Sequence, residues 1–257
     1  MSTKKINSEQ GHWLLAKMGK RVLRPGGRKL TETLIQNLEI TSKDSIVEFA
    51  PGMGYTAQLI LNKRPLQYSG IELNEEAAQR LQQHINTPSQ KIFNTSAAQT
   101  GLEQLSQTKV IGEAMLSMQV DARKSEIIQE AYRILKPGGL YGIHELGLKP
   151  ENISENSKRE VQQNLAKAIH VNARPLTKEE WCQLLQKEGF KIKSIQESPM
   201  DLLKLKRIIE DEGFWRTLKI MFNIFTHPKA KEKILIMKNT FKKYESHLIS
   251  FAIVAEK

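Results

Sequence analysis

The chain has 257 residues, 39% of them hydrophobic, and a formal net charge of +11 at pH 7. This length can bury one substantial core, and a single cysteine, Cys182, excludes an intramolecular disulfide and a cysteine-rich zinc site. No stretch approaches the roughly 18 apolar residues of a membrane span, and the start lacks a signal-peptide core, so we expect a cytoplasmic protein without metal chemistry.

The positive charge is concentrated at the two ends of the chain. Residues 1–43 carry 9 basic and 3 acidic side chains, residues 44–200 carry 18 of each, and residues 201–257 carry 12 and 7. A fold that grips a phosphate backbone would carry the excess on its body, so a nucleic-acid partner is not expected.

The first 43 residues form a predicted N-terminal helical cap. One helical pattern contains Trp13, Lys17 and Arg21, and a second follows the break at residues 25–27 and places Leu34 and Leu38 on one face.

Residues 44–200 alternate β-rich runs with helical patterns, which is typical of βαβ units and a parallel sheet. The predicted strands of this core are Ser45–Ala50, Gln67–Leu73, Lys91–Asn94, Lys109–Gly112, Leu140–Leu146 and Phe190–Glu197. Glu75–Ile85 and Ser125–Leu135 are predicted crossover helices. Thr177 and Glu180 form a capping box for a further helix around Trp181.

Residues 201–246 carry three helical patterns, and His247–Ala255 alternates as a final strand. We therefore predict a single α/β domain with a Rossmann-like, doubly wound, seven-stranded sheet whose last strand is antiparallel. The insertion at 201–246 is predicted to be a helical lid, and residues 247–257 complete the sheet.

The run Ile46–Ala57 places a glycine-rich turn between a strand and a helix. Such a turn lets backbone N–H groups approach a cofactor without obstruction by Cβ atoms, and an acid about 20 residues later can hold a ribose. Glu72 has that spacing. A dinucleotide site and an ordinary tight turn remain alternatives at this point.

Three features favour a methyltransferase over a dehydrogenase. Glu48 places a carboxylate under the glycine turn, where a zwitterionic amino-acid cofactor is better accommodated than a pyrophosphate. Residues 135–139, Leu-Lys-Pro-Gly-Gly, turn from a helix into the fifth strand. The last two strands predict a reversed hairpin at the sheet edge.

On these motifs the chain resembles the class I S-adenosylmethionine-dependent methyltransferases, strongly over residues 43–147. The resemblance implies S-adenosylmethionine as cofactor and S-adenosylhomocysteine as product. It implies cofactor contacts from two acids, the glycine turn and residues after the second, third and fourth strands: Glu48, Ala50, Gly52, Gly54, Tyr55, Glu72, Leu73, Thr95, Ser96 and Glu113.

The sequence departs from this family at two positions. Thr95 stands in Asn-Thr-Ser-Ala, where many members have Gly-Asp-Ala and use the Asp to bind the adenine amine. Glu113 is the nearest equivalent of an Asp or Asn that often faces the methyl group, and no Asn/Asp-Pro-Pro-aromatic sequence follows. Methylation of an exocyclic DNA amine is therefore disfavoured.

The ends of the fourth and fifth strands place Glu113, His144 and Glu145 on the predicted methyl side of the cleft. His144 is the candidate general base because its ordinary pKa lies near neutrality, and a structural His–Glu pair is the alternative.

We expect the cap and the insertion to cover a small-molecule acceptor, with Trp13, Met18, Trp215, Phe222 and Phe225 either enclosing it or packing the added helices. Three alternatives remain. They are an RNA or other macromolecular acceptor, cofactor binding without catalysis, and transient contact of the lysine-rich helix at Lys229–Lys243 with a membrane surface.

Overall fold

A computed structural model describes residues 10–257, and its strands form one central sheet. The strands of this part of the chain are β1 (Ser45–Phe49), β2 (Gln67–Ile71), β3 (Gln90–Phe93), β4 (Gln107–Glu113), β5 (Leu135–Leu148), β6 (Leu176–Thr177), β7 (Lys191–Pro199) and β8 (Leu248–Glu256).

The sheet has the order β3-β2-β1-β4-β5-β8-β7, in which β8 runs antiparallel between β5 and β7. All seven predicted strands are present, and the two-residue β6 adds a short parallel pairing with the end of β5. Strand β5 begins five residues earlier than predicted. Leu135 pairs with Gln107 and the ladder resumes at Leu140, so the Lys136–Gly139 turn is a bulge within the strand.

The helices of the described residues are α1 (Gly11–Lys17), α2 (Gly27–Asn37), α3 (Tyr55–Leu61), α4 (Glu75–Gln82), α5 (Asp121–Ile134), α6 (Glu155–Ile169), α7 (Lys178–Lys187), α8 (Leu205–Glu212), α9 (Phe214–Thr226) and α10 (Pro228–Lys243). The capping box of α7 is confirmed at Thr177 and Glu180. Helix α1 ends before Arg21, contrary to the prediction, because Gly19 adopts a left-handed φ of 104°. None of these helices is both long and apolar enough to cross a bilayer.

The sheet is covered by helices on both faces, as a doubly wound fold requires. Because strand side chains alternate, Val47 faces the cluster formed with α5 and α7, whereas its neighbour Ile46 faces α2, α3 and α4. Ile253 and Val254 in the last strand divide in the same way.

A third apolar cluster joins the cap to the insertion. Leu14 and Leu15 of α1 pack with Leu165 of α6 and with Ile234 and Met237 of α10, close to the end of β5. The cap and the insertion therefore meet over the carboxyl end of the sheet.

Two buried acids at the end of α8 hold the insertion against the cap. Glu212 accepts hydrogen bonds from the backbone N–H groups of Arg21 (2.7 Å) and Val22 (2.8 Å). Asp211 lies 3.4 Å from Lys20 Nζ, and the side chains of this ion pair are 1% exposed. A buried charge needs such partners to offset its loss of hydration.

Replacing Glu212 with Ala should destabilise the fold by roughly 3–5 kcal/mol, because two backbone donors and the nearby Lys20 ammonium lose their acceptor. Urea unfolding measures the change. Glu210→Ala, in the same helix with a side chain 49% exposed, is the matched control and should cost less than about 0.5 kcal/mol. Equal effects in the two variants would show that Glu212 does not hold the cap.

Candidate functional site

The carboxyl ends of β1, β2 and β4 open onto a cavity of about 440 Å³, within the usual size range of small-molecule sites. The cap closes it from above. Its walls come from five segments, residues 10–24, 50–55, 72–74, 113–119 and 171–172.

The glycine turn forms one wall of this cavity. Ala50, Gly52 and Gly54 all have positive φ angles, of 52°, 58° and 79°. A Cβ atom at Gly54 would lie 2.7 Å from Leu81 Cδ2, so the start of α3 can pack on α4 only with glycine there. Gly54 shapes the turn without lining the cavity, whereas Ala50, Gly52 and Tyr55 line it.

Glu72 lies on the cavity wall at the end of β2. Its carboxylate accepts hydrogen bonds from Gly52 N (2.9 Å) and Asn74 N (2.8 Å), which fixes it beside the turn. Burial raises the pKa of Glu72 although these N–H donors oppose the shift. Leu73, half exposed, continues the same wall.

Glu48, predicted to lie beside the cofactor, does not line the cavity. Its carboxyl group is buried beneath the turn and accepts a hydrogen bond from Tyr68 Oη at 2.6 Å. Burial raises the pKa of Glu48 to about 8, with the Tyr68 hydrogen bond and Arg24 acting in the opposite direction. The sheet encloses the Glu48 carboxyl group, so this group does not present the expected negative charge to the cavity.

Thr95 and Ser96, the predicted adenine contacts, also lie off the cavity wall. Thr95 Oγ1 donates to the carbonyl of Gln99 at 3.2 Å, and Ser96 Oγ accepts from Arg123 at 2.6 Å. Met115 and Gln119 line the cavity instead. Sequence reasoning missed both residues, and their place in the loop after β4 is the signal that could have identified them.

Glu113 ends β4 and connects the cavity floor to the cap. Its carboxylate accepts hydrogen bonds from Arg24 Nε (2.7 Å), Thr31 Oγ1 (2.6 Å) and Thr56 Oγ1, and pairs with His144 Nδ1 at 2.8 Å. Burial alone would raise the pKa of Glu113, but the Arg24 charge and these hydrogen bonds lower it to about 2. The group is a fixed anion at neutral pH.

His144 is completely buried and does not line the cavity, so the expectation that it contacts an acceptor does not hold in this structure. Nδ1 pairs with Glu113, and Nε2 pairs with the carbonyl of Pro25. With both nitrogens occupied by protein partners, the imidazole positions Glu113 and the cap.

Glu145, also predicted to be catalytic, is likewise fully buried. It accepts hydrogen bonds from the backbone N–H groups of Met115, Leu116 and Ser117 at 2.8–3.0 Å, and from Ser117 Oγ at 2.7 Å. Its role in the structure is to hold the loop after β4, which forms the cavity wall.

A smaller apolar chamber of about 60 Å³ lies behind the main cavity. The two share His12, Leu23, Ala114 and Met118, so they adjoin. The deeper lining is almost wholly apolar and comes from the cap, the end of β5 and the insertion: Leu15, Pro25, Ser117, Leu146, Ile169, Ala173, Met200, Leu202, Met237 and Phe241.

His12 stands at the junction of these two spaces, half buried on α1. Burial lowers its pKa to about 4, so the ring is neutral at physiological pH. Within residues 10–257 its ring contacts Trp13, with centroids 5.0 Å apart, and no hydrogen bond to it is found. Sequence reasoning missed His12 because it considered only residues at strand ends.

The insertion does not contribute its predicted aromatic lining. Trp215, Phe222 and Phe225 are 81%, 66% and 74% exposed on the outside of the molecule. The reason is that α9 packs inward through Thr217 and Ile220, which turns its aromatic side towards solvent. Of the five predicted residues only Trp13 lines the cavity, and Met18 packs in the core between cap and insertion.

Comparisons with known proteins agree with this architecture. A family model described as a methyltransferase domain matches residues 46–139. An uncharacterised protein of Haemophilus influenzae is 35% identical over 253 residues, which cover 97% of this chain and 98% of that protein.

Solved structures share the fold at low sequence identity. The [4+2]-cyclase SpnF superposes with a TM-score of 0.74 at 15% identity, over 97% of this chain and 94% of that one. Phosphoethanolamine N-methyltransferase 2 of Haemonchus contortus, in complex with S-adenosyl-L-methionine, has a TM-score of 0.73 at 17% identity, covering 100% of this chain and 60% of the other.

The stability of the protein should depend on pH through Glu48, the buried acid beneath the glycine turn. The pKa of Glu48 is about 8 in the folded protein and 4.5 in its ordinary state. As the pH rises from 4.5 to 8, the unfolded chain therefore loses this proton first, and the free energy of unfolding falls. Relative to the wild type, Glu48→Gln should therefore gain up to about 1 kcal/mol per pH unit across this window. Chemical unfolding at several pH values measures the difference.

The exposed Glu103→Gln variant controls for removal of a carboxylate elsewhere on the surface. A Glu48→Gln difference that stays flat across this window would mean that Glu48 is already ionised in the folded protein.

Proposed function

Because the chain belongs to the class I S-adenosylmethionine-dependent methyltransferases, we propose that it methylates a small, partly apolar organic acceptor. The cofactor is S-adenosylmethionine, and S-adenosylhomocysteine is its product. One observation carries the proposal of the acceptor: a cavity of cofactor size adjoins a small apolar chamber and shares part of its wall.

The cofactor fits the wall formed by the glycine turn and the end of β2. Gly52 allows close approach of the backbone, and the Glu72 carboxylate has the charge and position to accept hydrogen bonds from two ribose hydroxyls. Tyr55 and Leu73 supply apolar surface on the same wall. The resemblance assigns Glu72 this role, and its place on the cavity wall supports the assignment.

When bound, S-adenosylmethionine supplies a methyl group on a sulfonium that is already a good leaving group. The protein then needs to exclude water, align the acceptor and, for a protonated acceptor, remove a proton. The chamber walls perform the first two tasks, since Leu15, Pro25 and Met237 leave little for water to bind.

His12 is the group that contacts the acceptor's polar atom in this proposal. It lies where the cofactor cavity meets the chamber, and its neutral imidazole can accept a hydrogen bond or a proton. A proton that the acceptor loses on methylation would pass to the His12 imidazole. Glu113 remains an anion throughout and positions Arg24 beside the cavity.

A macromolecular acceptor is less well supported. Two of the basic residues of the cap, Lys20 and Arg24, are buried in ion pairs with acids, so they do not form part of a surface for phosphates. The chamber also admits only a small group. Since one protein with this fold is named a cyclase, turnover itself has to be measured.

Glu72→Gln should weaken S-adenosylmethionine binding by about 10- to 100-fold, because a neutral amide replaces the charged acceptor of two hydrogen bonds, a change of roughly 1.5–3 kcal/mol. Calorimetry measures the dissociation constant, and thermal unfolding with S-adenosylmethionine or NAD tests cofactor choice, since only a ligand of the folded state raises the melting temperature.

The matched control is Glu75→Gln, three residues along the chain and outside the cavity wall. Wild-type affinity in the Glu72 variant would reject the proposed ribose position without affecting the choice of cofactor.

Transfer of labelled methyl groups to a panel of small amines, phenols, thiols and carboxylic acids, with and without short alkyl or aryl groups, tests the proposed function. We expect turnover to favour acceptors with a small apolar group. For a protonated acceptor, His12→Ala should lower kcat by about 10²-fold or more at unchanged cofactor affinity, because the proton acceptor is lost.

The control is His84→Ala, which alters an exposed histidine away from the cavity. His12→Gln separates hydrogen bonding from proton removal, since the amide accepts a hydrogen bond but does not take up a proton. Full activity of His12→Ala would reject the role of His12, whereas absence of transfer to the whole panel would count against a small-molecule acceptor.

A further inference from the structure

Helix α9 presents a continuous apolar surface to solvent. Six large apolar side chains lie on one side of this helix, and their exposed fractions are 44–81%. We call these six residues the outer stripe: Phe214, Trp215, Leu218, Met221, Phe222 and Phe225.

The helical geometry separates this stripe from the core. At 100° per residue, positions 214, 218, 221, 222 and 225 fall within about 100° of one another. Thr217 and Ile220 point the other way and are buried. The packing of α9 is therefore satisfied without the outer stripe.

The neighbouring helices also expose apolar side chains. Leu205 of α8 and Leu235 and Ile236 of α10 are 52%, 46% and 51% exposed, and both helices contact α9. The sequence pattern suggested that the apolar side of α10 meets a membrane, but Ile234 and Met237 on that side are buried against the cap. The exposed apolar side belongs to α9 instead.

The segment that carries the outer stripe is strongly positive. Residues 205–243 contain ten lysines and arginines and four acids, and two of these acids, Asp211 and Glu212, are buried in ion pairs. Lys231 Nζ lies 5.4 Å from the centre of the Phe225 ring, so cationic and aromatic groups share one surface.

We propose that the outer stripe docks this protein on the surface of an anionic lipid bilayer. Large aromatic side chains flanked by lysines match the interfacial region, where rings enter the acyl boundary and ammonium groups meet lipid phosphates. Such an exposed apolar surface is unfavourable in water, and its positive rim selects anionic headgroups. This attachment goes beyond the proposed methyl transfer, because none of the outer-stripe residues lines the cavity or the chamber.

Flotation with vesicles of phosphatidylcholine alone or mixed with phosphatidylglycerol tests the proposal. We expect binding only to the mixed vesicles. Trp215 is the exposed one of the three tryptophans, since Trp13 and Trp181 are 8% and 0% exposed, so a blue shift of emission on binding reports its insertion.

The double variant Trp215→Ser/Phe222→Ser should lower the vesicle partition coefficient by about tenfold or more. Lys219→Gln and Lys229→Gln should each lower it by about fivefold on mixed vesicles, an effect that salt reduces. The control double variant Leu66→Ser/Leu105→Ser removes two exposed apolar side chains, 58% and 42% exposed, outside the insertion, and should bind as the wild type does.

Two results would overturn the proposal. One is failure of the wild type to bind mixed vesicles, or binding that the outer-stripe variant retains. The other is a lipid-free dimer, seen by sedimentation velocity, that the same variant dissociates, which would identify the surface as a contact between two copies. Equal melting temperatures of wild type and the outer-stripe variant would show that both proteins are folded. Methyl transfer by this variant to a water-soluble acceptor should equal that of the wild type.

Discussion

The site depends on one buried anion, the carboxylate of Glu113 at the end of β4. Its hydrogen-bond partners come from four separate parts of the chain: Arg24 before α2, Thr31 in α2, Thr56 in α3 and His144 in β5. An ionised carboxylate is stable in the interior only with such partners, so the requirement for pairing fixes where the cap sits relative to the sheet. The cavity exists because that placement leaves space above the glycine turn.

The same principle holds the other walls. Glu145 fixes the loop after β4 through three backbone N–H groups, and Glu212 fixes the segment between α1 and α2 through two. None of these contacts requires the ligand, so the protein holds the walls in place before binding. A preformed site lowers the entropy lost when a cofactor and an acceptor are aligned for transfer.

The insertion has two functional sides in this account. Met237 and Phe241 line the apolar chamber from within, whereas the outer stripe of α9 faces solvent with lysines around it. A bilayer that contacts the outside would therefore lie one helical layer away from the proposed acceptor site. An acceptor with an apolar group is chemically suited to both environments, because each stabilises hydrocarbon relative to water.

The sequence by itself determined the alternation of strands and helices, the glycine turn, Glu72 and the methyltransferase motifs, because each is encoded by residues close together in the chain. What the sequence did not determine was the surroundings of single side chains. Glu48 bonds with Tyr68, His144 lies under the cap, and the aromatic side of α9 faces outward, each as a result of packing between distant elements. His12 became part of the site only because the cap folds across the sheet. Local periodicity predicts that a residue lies on an apolar face or at the end of a strand. Only the tertiary structure decides which partner or cavity its side chain meets there.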